Sequence, residues 1–266
     1  MDMPVVNTVM PGFSQANRIV MYASLLLTPA QAIAGMGSRA PFNLGFLAYN
    51  MYQQYLWYTA AKSKELHALS LLPTYLNLIY SFTYLGGVPS ANIFVGMLAA
   101  LGTAAMMMMN IITGWVSLKT NLPEGEGVYI FYFFGWRTLT KSWMKFLVAW
   151  QVFDTLIALA MIGVTVVLGY WIPKHVCADD SDPFEKHKFL VRKKLYPLVV
   201  ILVGPPVLLV LVGWELILFM ELLVNKNNIE SETDMVSIYL FIVQALLTPA
   251  WAITHKKKAL ITKDSE

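Results

Sequence analysis

The sequence predicts an all-α membrane protein, a polytopic bundle of seven transmembrane helices, and three observations carry that prediction. Apolar residues make up 57% of the 266 and charged residues only 13%, with a mean hydropathy of +0.57. A soluble domain carries about 25% charged residues, so this chain lacks the charge to cover a water-facing surface. Several apolar runs reach the roughly 20 residues that cross a hydrocarbon core. Lys and Arg gather at the ends of those runs, which is the ordinary topology signal of membrane helices.

The whole chain, 1–266, reads as one membrane domain with spans at 17–36, 44–61, 66–87, 92–117, 145–171, 195–224 and 235–254. Arg18, MYASLLL and AQAIAG together resemble a signal peptide. The polar stretch before Arg18 is long for such a leader, and the run is read as the first membrane helix. The second run holds Asn50, Gln53 and Gln54, so six spans plus one interfacial helix is the alternative. Only KSKE separates it from the third run, as in a tight helical hairpin, and this favours a full span. The piece VYIFYFFGW (128–136) is too short to cross and is expected at the membrane surface, where Trp and Tyr are favoured. Pro73 and the GPP at 204–206 are expected to kink the third and sixth spans, and kinked helices tend to surround a cavity.

Orientation follows from the basic residues. The loop 172–194 carries six Lys and Arg and the tail 255–266 carries four, and two spans separate these segments, so they share a side. The C-terminus is therefore expected in the cytosol and the N-terminus in the lumen or outside, with the endoplasmic reticulum as the expected membrane. LLTPAQAI (26–33) echoes LLTPAWAI (246–253), but the flanks do not match, and the echo reads as convergence on a kinked helix.

Many chemistries are excluded. The single cysteine, Cys177, rules out an internal disulfide and a Cys-rich metal site. The four histidines are scattered without an HExxH, so no metal and no cofactor are expected. The methionines of MMMMN (106–110) point all round a helix and cannot converge on one ion. GxGxxG, P-loop and GxSxG patterns are absent, the last span has no lysine for a retinal Schiff base, and ADDSDPFE is too irregular for an EF-hand. The net charge of +3 leaves no nucleic-acid footprint. The partners expected are membrane lipids and a hydrophobic small molecule, and homo-oligomerisation stays open.

Ionisable residues inside a span are costly and are functional candidates by default. Asp154 and Glu215 lie deep in the fifth and sixth spans, whereas Glu221 lies within a turn of its span's end and reads as an interfacial charge. Asn77, Gln53 and Gln244 fall near the midplane. These five groups either line one polar pocket or stitch helices together pairwise.

The second and third spans carry a pattern: Gly45-Phe46 and Asn50, then KSKE, then Pro73, Asn77, Tyr80, Ser81 and Tyr84. Over roughly residues 42–118 this resembles the small seven-span meroterpenoid and indole-diterpene cyclases of fungi. That resemblance implies a pocket formed by Asn50 of the second span and Asn77, Tyr80, Ser81 and Tyr84 of the third at a prenylated substrate, with Tyr75 also expected to line it, and ring closure through carbocations started by an acid. The glutamate of the family's pattern falls on Ser81, and its aspartate falls near Leu246–Thr248, where this chain has no acid. The acid must then come from Asp154 or Glu215, since a carboxyl in an apolar pocket can serve as a general acid. Aromatic side chains would stabilise the cations. The function expected is a terpene-cyclase-like membrane enzyme, a cyclase or isomerase acting on an isoprenoid. A non-enzymatic small transporter, channel or receptor is the alternative.

Overall fold

The computed structural model describes residues 7–9, 11–36, 43–65, 67–175 and 196–246, and it is mostly helical there. Among the described residues seven α-helices follow in order: α1 (Gln15–Met36), α2 (Asn43–Ser63), α3 (Pro73–Gly86), α4 (Ile93–Thr120), α5 (Lys141–His175), α6 (Tyr196–Lys226) and α7 (Met235–Leu246). Two of the described helices, Ile93–Thr120 and Lys141–Lys174, are long and apolar enough to cross a membrane, judged by length and composition. The loop expected at 172–194 lies almost wholly outside the described residues, as do the tail 255–266 and most of the second copy of the LLTPA echo.

One expectation from proline is corrected. Pro73 does not kink a helix: it starts α3, after a 3₁₀ turn at His67–Leu71 that occupies the front of the expected third span. Proline suits that position because its missing N–H falls where a helix has no internal acceptor to use it. At 14 residues, α3 is only about 21 Å long at 1.5 Å per residue. The GPP at 204–206 lies within the helical run of α6.

One end of the bundle is closed by a small cap. Strand β1 (Asn7–Val9) pairs in parallel with β4 (Ile229–Ser231), while β2 (Ile130–Tyr132) and β3 (Trp136–Thr138) form an antiparallel hairpin. The aromatic run at 128–136 is thus a hairpin, turning at Phe134 (φ 47°) and Gly135 (φ 128°). The Asn227 side chain clamps it to the end of α6, donating to the Ile130 carbonyl at 2.7 Å and accepting from the Ile130 amide at 2.8 Å. Asp234 caps α7 by accepting from the Val236 and Ser237 amides, and Asn17 of α1 donates to the Asp234 carbonyl and the Ser237 hydroxyl. The Thr120 hydroxyl donates to the Ala61 carbonyl, and Lys64 reaches Glu124. The cap therefore gathers the starts of α1, α3, α5 and α7 and the ends of α2, α4 and α6, so the seven helices alternate in direction.

Small residues set the helix crossings. A Cβ on Gly96 of α4 would fall 2.7 Å from the Gly169 carbonyl oxygen of α5, and one on Gly169 would meet the Ala100 Cβ at 2.6 Å. Backbones this close are the usual device of helix pairs packed without long side chains between them. α2 packs along α4, and α3 lies against α1, α4, α5 and α6.

Candidate functional site

α3 is the helix from which a site can be built, because its two faces meet different neighbours. Asn77, Tyr80, Ser81 and Tyr84 recur at helical spacing on one buried face. Tyr75 lies on the other, half-buried and stacked on Phe219 of α6 with ring centroids 6.1 Å apart.

Asp154 of α5 is 5% exposed and points at α3. The Asn77 amide donates to its Oδ2 at 3.5 Å, and the Asn110 amide of α4 donates to the Asn77 oxygen. A carboxyl and two carboxamides from three helices thus form one chain. Ser81, one turn along α3 from Asn77, is buried on the same side. The Asp154 carboxyl therefore stands within about one turn of the Ser81 position.

Toward the far end of α3, the Tyr80 and Tyr84 rings stack at 5.6 Å, and Trp57 of α2 meets Tyr80 edge-on at 6.3 Å. Gln54 of α2 donates to the Tyr84 hydroxyl at 2.5 Å. Beside this pair lies an enclosed space of about 10 Å³, lined among others by Phe46, Asn50, Tyr84, Thr103 and Met106. That is room for a single water. Asn50 Oδ1 is buried there without a hydrogen-bond partner, and one turn along α2 Gln54 Oε1 is buried unpaired as well. Met106 is one turn from Asn110, so the space and the carboxyl lie along one seam between α3 and α4.

The five deep polar groups do not share one pocket. Glu215 is exposed on α6, between the exposed Trp214 and Leu218. Gln244 of α7 packs onto α2 so closely that a Cβ on Gly45 would overlap its Oε1. Gln53 is buried in α2. Polar groups four residues apart share a helix face, but depth alone does not decide which face looks inward.

Glu221 is also more than an interfacial charge. Arg18 of α1 binds its carboxylate through Nε at 2.7 Å and Nη2 at 3.0 Å, and the Tyr22 hydroxyl donates to the same carboxylate. Arg18 Nη1 further donates to the Phe13 carbonyl at 2.9 Å. A basic residue at the start of one apolar run and an acid at the end of another was the available signal.

No protein-family model, curated protein or solved structure matches this chain.

Proposed function

We propose that this chain crosses a membrane seven times and that Asp154 is the acid that starts cyclisation or isomerisation of a lipid-soluble isoprenoid. The observation that carries the chemistry is the Asn77–Asp154 contact. It holds a buried carboxyl one helical turn from Ser81, the position at which the pattern on α3 lacks its acid, and that supports the reading. The stacked Tyr80 and Tyr84 and the adjacent Trp57 supply aromatic faces along the same seam for a developing cation. In this reading the Asp154 proton adds to an alkene carbon or an epoxide oxygen and leaves a carbocation. Ring closure moves the charge, and loss of a carbon-bound proton to the carboxylate ends the cycle and restores the acid. A ligand of this size needs several hundred Å³, so binding spreads the seam beyond the space now enclosed.

The topology draws on the alternation of the helices about the cap. With the cap in the lumen, the basic segments 172–194 and 255–266 face the cytosol of an endoplasmic reticulum membrane.

The test is mass spectrometry of lipid extracts from cells producing the wild type, Asp154→Asn or Glu215→Gln. A cyclised isoprenoid should accompany the wild type and Glu215→Gln and vanish with Asp154→Asn at unchanged protein yield. An identical lipid profile in wild type and Asp154→Asn would overturn the assignment.

A second reading, a subunit of a larger membrane assembly, is favoured by Glu215. A carboxylate on an exposed apolar face costs several kcal/mol in hydrocarbon unless a neighbour covers it. Native gels read this directly: loss of a larger complex in Glu215→Leu supports it, and a single size in wild type and variant rejects it.

A further inference from the structure

On the outer flank of the bundle, α4 and α5 border a groove of about 410 Å³. Trp115, Val116 and Leu118 of α4 and Val148 of α5 form its walls, and Lys119 stands at the end nearer the cap. The volume falls in the range of sites that take small organic ligands. The Trp115 indole donates to the Thr155 hydroxyl at 3.1 Å, which fixes the wall in place.

One turn along α5 from the groove wall at Val148 sits an unusual side chain. Gln151 lies one turn beyond Val148 on α5, is 1% exposed, and has neither its oxygen nor its nitrogen hydrogen-bonded. It packs over Gly114 of α4, where any Cβ would come within 2.7 Å of its Nε2. The glycine thus makes the space that the amide fills. Ser117, one turn along α4 from Gly114, also carries a buried hydroxyl without a partner. A buried donor or acceptor left unpaired costs on the order of 1–3 kcal/mol, so two such side chains within about a turn of each other call for a ligand atom. An amide with both ends free suits a group that can donate and accept, such as a hydroxyl. One further turn along α5 is Asp154.

We propose that the α4–α5 groove binds the apolar body of an amphiphilic alcohol and that Gln151, one turn along α5 from both Val148 and Asp154, takes its hydroxyl oxygen. The amphiphile's arrival from the bilayer rests on the membrane reading above, but the site does not depend on Asp154 being an acid. A single partner class follows: a neutral, lipid-soluble alcohol such as a prenyl alcohol, with its chain lying along Trp115 and Val148.

The experiment is photolabelling of the full-length protein in nanodiscs. Two probes are compared, a diazirine-bearing prenyl alcohol and the matching hydrocarbon, and labelled peptides are mapped by mass spectrometry. The alcohol should label residues 115–119 and 148 in preference to the other exposed helix faces. Gln151→Leu should lower that labelling about tenfold, equivalent to 1.4 kcal/mol, and leave the hydrocarbon unaffected. Val148→Trp, a substitution at an exposed position that cannot unfold the core, should block labelling by both probes. Equal labelling of all lipid-facing helices by both probes, insensitive to Val148→Trp, would overturn the proposal. Asp154→Asn separates the two readings: retained labelling with no cyclised product in any variant leaves the groove standing and removes the acid.

Discussion

Arg18 and Glu221, 203 residues apart, join the start of α1 to the end of α6 through two parallel hydrogen bonds of 2.7 and 3.0 Å. The Arg18 side chain is 10% exposed and that of Glu221 39%, so one partner is buried and the other meets solvent. Replacing Glu221 by Gln leaves the buried guanidinium without its countercharge. The expected loss is about 2 kcal/mol, below the cost of a fully buried pair because Glu221 is partly screened. Arg18→Lys should lose part of that, since an ammonium cannot offer the two-pronged fork. Thermal unfolding in detergent of both single variants and the double variant measures the coupling, and additive losses would show the pair to be idle.

Asn77 stands at the centre of the polar chain, donating to Asp154 and accepting from Asn110. Asn77→Leu fills the volume but removes the amide that donates to the buried Asp154 carboxyl and accepts from the half-buried Asn110. Stability should fall by about 1–3 kcal/mol, and an Asn77→Leu/Asn110→Leu pair should recover part of the loss. Melting temperatures of the three proteins decide the point.

The α4–α5 crossing depends on Gly96 and Gly169, whose backbones touch. Gly96→Leu cannot be absorbed by rotating a flexible neighbour, because the nearest atom is a carbonyl oxygen of α5. The helices must separate, at a cost of about 1–3 kcal/mol. On the same α5 helix, a Cβ added at Gly163 would meet nothing within 4 Å, so Gly163→Ala should be neutral or slightly stabilising. A parallel thermal series on the two variants separates the crossing from general helix propensity.

Tyr129, in the cap, has its phenol pushed up to about 12 by burial and by the nearby Glu124 carboxylate. The folded state therefore holds this proton more tightly than the unfolded chain, whose phenol titrates near 10. Its contribution is fully present below pH 10 and is lost as pH rises from about 10 to 12. Tyr129→Phe should flatten that part of the stability profile, and denaturation followed between pH 9 and 12 shows whether it does.

Some of the site was legible before any contact was known. Asp154 stands out as an acid within an apolar run, and Asn77, Tyr80 and Tyr84 recur at the spacing of one helix face. Their meeting was not legible, because the Asn77–Asp154 contact joins residues 77 positions apart. Gln151 was hidden for a related reason: an amide in a helix reads the same whether it is bonded or buried without a partner. Glu221 passed for a surface charge because Arg18 lies in another run. The hairpin at 130–138 was masked by its turn, where Phe134 occupies a left-handed conformation that its residue type does not advertise.

The sequence by itself determined the helical class, and the described helices α1, α2, α4, α5 and α6 start and end within about four residues of the apolar runs that announce them. Hydropathy and backbone hydrogen bonding within a helix are local properties, so the local sequence suffices for them. Tertiary structure alone decided that Asp154 faces Asn77 while Glu215 faces outward, and that Gln151 lies buried over Gly114. Those outcomes depend on how closely and at what rotation helices cross. Contacts such as Gly96 against Gly169 set both, through atoms far apart in the chain.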